Sequence, residues 1–570
     1  MIDKRWINHP DLTPEQINIV NELTESLKID SALATLLTQR GIRDFEDSRQ
    51  FFRPDLSKLH DPYLMQDMDL AVQRLAKAIA NNEKILVYGD YDVDGTTSVT
   101  VFYGFLSRIY EHLDYYIPDR YNEGYGVSWQ SIDWAQENGY TLIVTLDCGI
   151  KSVDKVTEAK KRGIDFIICD HHRPGDELPP AEAVLDPKRE DCLYPYKELT
   201  GCGVGFKLLQ AFCIHQQIDQ NILFEYLDLL VVSIAADIVP ITGENRILAH
   251  YGLLRLNAAP RPGIKALIKI AGMSGTLDIT NVVFGLGPRI NAAGRIKHAK
   301  EAVRLLLSEE TDEADAFAEE INQHNSDRRN FDSSITEEAL LMIEKDEWFL
   351  TANSTVLYKE DWHKGVIGIV ASRCIEKYHR PTIILTQSHG KAAGSARSVP
   401  GFDVYEAIEE CSDLLEQFGG HTFAAGLTLP IQNIEAFRKR FNEIVSSRIL
   451  PDQLVPMINI DLPLSLASIT PKFYNILRQM GPFGPGNMTP VFMSSNVMLS
   501  GNPVIMKEKH IKFDVKQEDS PAFTVIGFGM APCYKELLNN KYFSICYNLE
   551  ENNFRDKKTL QLFLKDIKFN

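Results

Sequence analysis

Between residues 84 and 185 the chain alternates short apolar runs with longer stretches of helical spacing. Lys84–Tyr88, Leu113–Ile117, Thr141–Thr145, Phe166–Cys169 and Ala183–Leu185 read as strands. Helical periodicity covers Ala71–Ala80, Thr96–Ile109, the region of Ser128–Glu137, and Lys151–Arg162. Strands alternating with helices at this spacing call for a parallel sheet with helices on both faces. A longer helical stretch, Glu225–Ile238, carries Asp237 and meets the helix-stopping Pro240. Ala314–Arg329 and Ser333–Glu344 are polar yet periodic, which predicts a helical connector rather than a disordered linker. A second α/β block runs from Ser354 to Arg448. Beyond Pro451, the runs Val491–Met493, Ile511–Val515 and Phe523–Phe528 alternate with Gly, Pro and Asn turns, the pattern of a small β-barrel. The expected organisation is α/β: an N-terminal extension (1–70), a parallel-sheet domain (71–300), a helical connector (301–346), a second α/β domain (347–449) and a β-barrel domain (450–570).

Composition changes this picture little. The net charge of −18 argues against a protein that coats DNA nonspecifically, but a local basic groove can sit on an acidic body. No apolar run reaches the roughly 18–20 residues of a membrane span, and Met1-Ile2-Asp3-Lys4-Arg5-Trp6 lacks the apolar stretch of a secretory signal. The nine cysteines form no CxxC pair, and several lie in apolar runs (Cys169, Cys213, Cys374), as buried thiols of a reducing compartment do. A cytoplasmic protein without a membrane partner is expected.

The chemistry concentrates where predicted strands end. Asp90-Tyr91-Asp92-Val93-Asp94-Gly95 follows the run Ile85-Leu86-Val87 and places carboxylates at alternate positions. Like charges at that density raise each other's pKa unless a cation sits among them. The strand Thr141–Thr145 leads into Asp147, Phe166–Cys169 into Asp170-His171-His172, and Asp237 can add one more oxygen donor. Ligands bind at this edge of open α/β sheets. A carboxylate-rich set with few imidazoles suits Mn²⁺ or Mg²⁺ better than zinc, and a shared carboxylate such as Asp147 can bridge two ions. A lone Asp-rich turn is more often a helix cap, and a lone His-His pair carries less weight still. The three motifs together outweigh that reading. Gly89 to Thr97 is not a nucleotide-binding P-loop, because no lysine precedes its hydroxyl residues.

The motifs DYDVDG, DHH and Ala236-Asp237-Ile238-Val239-Pro240 resemble those of the DHH phosphoesterase superfamily. Gly419-Gly420-His421-Thr422-Phe423-Ala424-Ala425-Gly426 is similar to the glycine-rich signature of the associated DHHA1 domain. Ile117-Pro118-Asp119-Arg120, Gly287-Pro288-Arg289-Ile290-Asn291-Ala292-Ala293-Gly294-Arg295, Trp362-His363-Lys364-Gly365-Val366-Ile367-Gly368 and Gly481-Pro482-Phe483-Gly484 narrow the resemblance to its bacterial single-stranded-DNA exonucleases. That resemblance covers the chain from about residue 70 onward. It implies metal ligands at Asp92, Asp94, Asp147, His171 and Asp237, with Asp90 near enough to contribute. It further implies catalytic roles for Asp147 and His171, and for His172 facing the scissile phosphate. Tyr88 departs from the wider superfamily, which often has histidine four residues before the first metal-binding aspartate, so one metal site is expected to be weaker.

Arg120, Arg289, Asn291 and Arg295 are the expected phosphate contacts of the first domain, since arginine forks suit phosphate oxygens. Ser395, Arg397, Gly419, Gly420 and His421 are those of the second, read as loops whose backbone N–H groups meet phosphate. Lys507, Lys509, His510 and Lys512 beside Phe513 suggest a strand-tracking face on the barrel. The resemblance implies a monomeric enzyme that degrades single-stranded DNA from its 5′ end using Mn²⁺ or Mg²⁺, two ions in all. A helicase and a single-strand-binding protein are its expected partners. A small-substrate phosphodiesterase and a non-catalytic scaffold are the alternatives. The first does not call for the module after Pro451, and the second would be expected to lose metal ligands.

Overall fold

The structure, a computed structural model, describes residues 4–554 and 557–569, so Met1–Asp3 of the expected N-terminal extension lie outside the described residues. The chain forms two compact units. One comprises residues 49–328 with 480–488, and the other holds the remaining residues. The first strand, β1 (Arg5–Asn8), belongs to the latter unit.

The unit built on residues 49–328 carries β2 (Ile85–Gly89), β3 (Leu113–Tyr116), β4 (Leu142–Leu146), β5 (Asp165–Cys169) and β6 (Ala183–Leu185) in the order β3-β2-β4-β5-β6. Every pairing is parallel, as the alternation of strands and helices predicts. Period-two alternation assigns each side chain to a face. Ile85, Val87, Leu142, Val144, Ile167 and Leu185 enter one core, and Leu86, Tyr88, Ile143, Phe166, Ile168 and Val184 enter the other. Both faces are therefore covered, which parallel sheets require. The helices begin and end differently from the periodicity. Val93–Leu106 starts three residues earlier than expected because Asp92 caps it, accepting from the Gly95 N–H at 3.0 Å. Leu227–Ala236 ends before Asp237, which stands at its C-cap rather than within the helix. The expected pair of connector helices is one uninterrupted helix, Thr311–Lys345, and the division between the units falls inside it.

The other unit contains two sheets of different character. The strands β7 (Thr355–Tyr358), β8 (Thr382–Ser388), β9 (Lys391–Arg397), β10 (Gln417–His421) and β11 (Ala424–Leu429) assemble in the order β10-β11-β9-β8-β7. Only β7–β8 is parallel in this mixed sheet. Two expected loops are strands here: Gly394–Arg397 lies in β9, and Gly419–His421 is the end of β10. Small residues have poor strand propensity in isolation, but ladder pairing through β11 overrides it. After β12 (Met457–Ile460) and β13 (Leu462–Pro463) come β14 (Phe492–Leu499), β15 (Val504–Met506), β16 (His510–Lys516), β17 (Phe523–Gly527), β18 (Phe543–Phe554) and β19 (Lys557–Phe569). They follow the order β13-β14-β18-β19-β17-β16-β15, and β16 also pairs with β14, closing the barrel.

Residues 4–70, expected as one extension, are divided between the two units. Strand β1 pairs in parallel with β12, and the Trp6 indole donates to Asp566 at 2.7 Å. From Arg49 onward the chain belongs with the parallel sheet. Gly481-Pro482-Phe483-Gly484, expected to open the β module, also belongs there: Arg246 donates to the carbonyls of Gly481 (2.9 Å) and Phe51 (2.8 Å).

A buried ion pair ties this early segment down. Lys207 Nζ donates to the His60 carbonyl at 2.6 Å and to Glu244 at 3.2 Å, and both side chains are fully buried. Glu244 also accepts from the Tyr194 hydroxyl (2.6 Å) and the His60 N–H (2.9 Å). Removing one partner leaves an uncompensated buried charge. Lys207→Met is expected to cost about 3–5 kcal/mol in urea unfolding, and the double variant Lys207→Met/Glu244→Leu to recover most of it.

Candidate metal centre

The register of the parallel sheet sets the site. Gly89, Leu146, Cys169 and Leu185 are paired neighbours at the carboxyl ends of β2, β4, β5 and β6, and the next residue in each case is an aspartate: Asp90, Asp147, Asp170 and Asp186. This is the edge at which open α/β sheets bind ligands. Asp92 and Asp94 enter from the start of Val93–Leu106, and Asp237 from the end of Leu227–Ala236.

Potential ligand atoms fall into overlapping groups. Those of Asp90, Asp92 and Asp147 lie within 4.8 Å of one another, as do those of Asp94, His171 and Asp237, and those of Asp147, His171 and His172. His171 Nε2 is 3.2 Å from Asp147 Oδ1, 3.6 Å from Asp237 Oδ2 and 3.8 Å from Asp94 Oδ2. Asp147 thus links the two carboxylate groups. Asp90, which the resemblance placed only near the ligands, sits inside the cluster. Tyr88 does not: its ring stacks on Tyr116 in the opposite core, and its hydroxyl donates to the Gly126 carbonyl at 2.8 Å.

Electrostatics test whether cations fit. Burial, and then the charge of Asp92, hold the Asp90 carboxyl well above its usual range. Burial and Asp94 do the same to Asp147, raise Asp92, and push Asp237 to about 8. Burial pushes His171 down to about 4, so its ring is neutral and able to donate a lone pair. Asp90 Oδ1 and both His171 nitrogens are buried without a hydrogen-bond partner, unusual for polar atoms unless an ion or water serves them. The donor set is hard oxygen with one imidazole, which fits Mn²⁺ or Mg²⁺.

Asp94 differs from its neighbours because the fold already satisfies it. Its carboxylate accepts from the N–H groups of Gly201 (2.7 Å) and Cys202 (3.0 Å), which open the helix Gly201–Gln216, and from Ser233 Oγ (2.7 Å). A Cβ at Gly201 would lie 2.5 Å from Asp147 Cα, so this close approach needs glycine.

His172 has the opposite environment from His171. Asp170 accepts from His172 Nδ1 at 2.7 Å, and from the N–H groups of Ile150 (2.9 Å), His171 (2.8 Å) and His172 (3.1 Å). Burial alone would lower the His172 pKa, but the hydrogen bond and charge of Asp170 outweigh it and push it up to about 9. The Tyr125 hydroxyl lies 3.1 Å from Nε2. The sequence alone singles out neither Asp170 nor Tyr125 as a functional residue. Asp170 stands in the DHH motif but is overshadowed by its histidines, and Tyr125 carries no local signal.

The expected phosphate contacts separate by unit. The helix Gly287–Ile296 lies along the cluster: a Cβ built at Gly287 would be 3.7 Å from Ala236 Cβ, and one at Gly294 would be 2.7 Å from the Tyr91 carbonyl. Arg289, Asn291 and Arg295 are half-buried on this helix. Arg289 donates to the Gly285 carbonyl (2.7 Å) and Asn322 (3.1 Å), and the Arg295 carbonyl accepts from Tyr121. The Arg120 guanidinium lies 4.8 Å from the Tyr91 ring centroid, and its charge favours ionised Asp90 and Asp92. In the other unit, Ser395 aligns with Gly426 and Gly419, and Arg397 with Ala424 and His421. Ala424 and Gly426 of β11 stand between these residues in the ladder. Arg397 donates to Ser395 Oγ at 3.1 Å.

Comparison with known proteins decides the family. Residues 84–234 match the DHH family N-terminal domain, residues 351–447 the DHHA1 domain and residues 460–566 the RecJ OB domain. The chain is 38% identical to the single-stranded-DNA-specific exonuclease RecJ of Bacillus subtilis (strain 168) over 567 residues, 99% of this chain and 70% of that protein. It is 34% identical to the Escherichia coli (strain K12) RecJ over 570 residues, 96% of this chain and 98% of that protein. The chain belongs to the RecJ family. The crystal structure of RecJ from Thermus thermophilus in complex with Mn²⁺ superposes with a TM-score of 0.85 at 27% identity, covering 99% of this chain and 80% of that one. A second structure, exonuclease RecJ bound to manganese, gives 0.61 at 32% identity over 70% of this chain and 98% of that one. RecJ membership agrees with the donor set, since those relatives bind a hard divalent ion.

Proton linkage makes the electrostatics testable. Asp237 has a folded pKa near 8 without a cation, against an ordinary value of about 3.9. A carboxyl that keeps its proton longer in the folded chain stabilises the fold fully below about pH 4, and that contribution is lost as pH rises through about 8. In chelator the melting temperature should fall from pH 5 to pH 8.5 by scanning calorimetry. Added Mn²⁺ should flatten that fall, and an equal slope with and without Mn²⁺ would remove the centre.

Proposed function

We propose that this RecJ-family chain is a divalent-metal-dependent exonuclease that hydrolyses single-stranded DNA from the 5′ end to 5′-mononucleotides. The observation that carries the reading is Asp147 at the sheet edge, which belongs to the group of Asp90 and Asp92 and lies 3.2 Å from His171 of the group of Asp94 and Asp237. In this reading residues 71–300 perform the chemistry, while 347–449 and 450–570 hold the strand. The enzyme acts in the cytoplasm as a monomer, on single strands that a helicase opens and a single-strand-binding protein coats. A non-catalytic scaffold is disfavoured because every expected ligand position is retained.

Asp90, Asp92, Asp94, Asp147, His171 and Asp237 would hold the ions. Two divalent ions supply, when bound, Lewis acidity that activates water and neutralises charge on the phosphodiester. The chain's own residues do the rest. His172, kept protonated by Asp170, donates a hydrogen bond to a phosphate oxygen and can pass a proton to the leaving oxygen. Arg120, Arg289, Asn291 and Arg295 offset charge on the bound phosphates. Ser395, Arg397, Gly419, Gly420 and His421 line a surface suited to the sugar–phosphate backbone.

Purified protein with Mn²⁺ should degrade 5′- and 3′-labelled single strands, with mononucleotides appearing first from the 5′ label, and should leave blunt duplex intact. Activity confined to dinucleotides would replace this reading with a small-substrate phosphodiesterase. Asp147→Ala should abolish cleavage. Asp170→Asn should cost about 10–100-fold. It should also shift the alkaline limb of the pH–rate profile to lower pH, because His172 then loses its proton sooner.

A further inference from the structure

We propose that Ile238 and Phe284 form an apolar contact surface for a nucleobase of the bound strand, beside the carboxylate cluster. The inference rests on the nuclease reading and adds a contact that senses bases rather than phosphates. Ile238 directly follows Asp237, and its backbone lies at φ +59°. A β-branched residue is a genuine outlier there, where glycine or asparagine would hold the turn at lower cost. Burial does not compensate for this strain, because the Ile238 side chain is 64% exposed. Phe284 is 76% exposed and sits in the π-helical turn Val282–Leu286, a kind of irregularity found frequently at functional sites.

The two residues stand on adjoining segments. The π-helical turn packs on the helix Leu227–Ala236, and Gly287, which follows the turn, lies against Ala236, two residues before Ile238. The helix that starts at Gly287 carries Arg289 and reaches Tyr91 at Gly294, so the turn sits at the Asp237 end of the cluster. Single exposed apolar side chains are ordinary on protein surfaces. Here two occur on neighbouring irregular segments, one of them next to a candidate ligand. An aromatic face with a branched alkyl group offers what any base can use: stacking and apolar contact without hydrogen-bond readout. The cluster supplies the phosphate end of the same nucleotide strand. A base contact beside it would place the strand without imposing sequence preference.

The test is binding in EDTA, where hydrolysis is not supported, followed by fluorescence anisotropy with a labelled oligothymidylate and an abasic strand of equal length. The wild-type chain should prefer the base-bearing strand by about tenfold. Phe284→Ala and Ile238→Ala should each shrink that preference several-fold, and Phe284→Tyr should restore it. Variants that keep the wild-type preference, or that weaken both strands equally, would overturn the proposal. Wild-type hydrolysis of the same oligothymidylate with Mn²⁺ is the separate arm. Its failure would sink the nuclease reading, while the binding ratio still judges Ile238 and Phe284.

Discussion

Repulsion among carboxylates removed from water is the constraint around which the parallel-sheet unit is organised. Four adjacent strands each deliver an aspartate one residue past their ends, and Asp92, Asp94 and Asp237 join them. Three of them find partners within the chain. Asp170 takes an imidazolium and three backbone N–H groups. Asp94 takes the open end of a helix and a serine hydroxyl. Asp186 accepts from the Lys188 N–H, and burial leaves it at about 7. Asp90, Asp92, Asp147 and Asp237 lack compensation on that scale, and their protons are held above the usual range. That division separates carboxylates whose charge a cation would offset from those the frame already supports, and Asp94, supported by a helix start yet grouped with His171 and Asp237, belongs to both.

The frame carries a cost that only a large core can offset. Asp147 sits at φ +61° and Ile238 at φ +59°, each about 1–3 kcal/mol of backbone strain. Gly201 and Gly294 let a helix start and a helix end approach the ligand-bearing turns more closely than any side chain allows. The central strands β2 and β4 are buried throughout, so the edge they present is rigid. Rigidity matters here because repelling charges would otherwise relax apart before an ion could bind them.

Legibility in the sequence follows from the range of the interactions. The parallel sheet is readable because each strand is a local apolar run, and the ligand row is readable because a register error of one residue would bury the wrong face. The start of Val93–Leu106 escapes a reading by periodicity because Asp92 both caps the helix and belongs to the cluster, and only the capping bond distinguishes them. Gly394–Arg397 and Gly419–His421 look like loops because their strand character comes from β11, about 30 residues from one and adjacent to the other. The tie between Arg246 and Gly481 joins distant parts of the chain, 235 positions apart, and no local pattern announces it. Asp170 is visible as a letter of a motif but not as the group that orients its neighbour.

That orientation explains why two consecutive histidines are not redundant. The rings of His171 and His172 are 4.6 Å apart, yet one is driven towards neutrality and the other towards the cation. Alternation past the end of β5 sends His171 into the buried cluster, where desolvation removes its proton and leaves lone pairs for a metal. His172 turns back to Asp170, whose carboxylate is already fixed by three N–H groups and cannot follow the ring away. One short segment therefore yields an electron-pair donor and a proton donor side by side. Neither role survives exchange: an imidazolium at 171 would repel the ions, and a neutral ring at 172 would leave the developing charge on the phosphate without a proton to meet it.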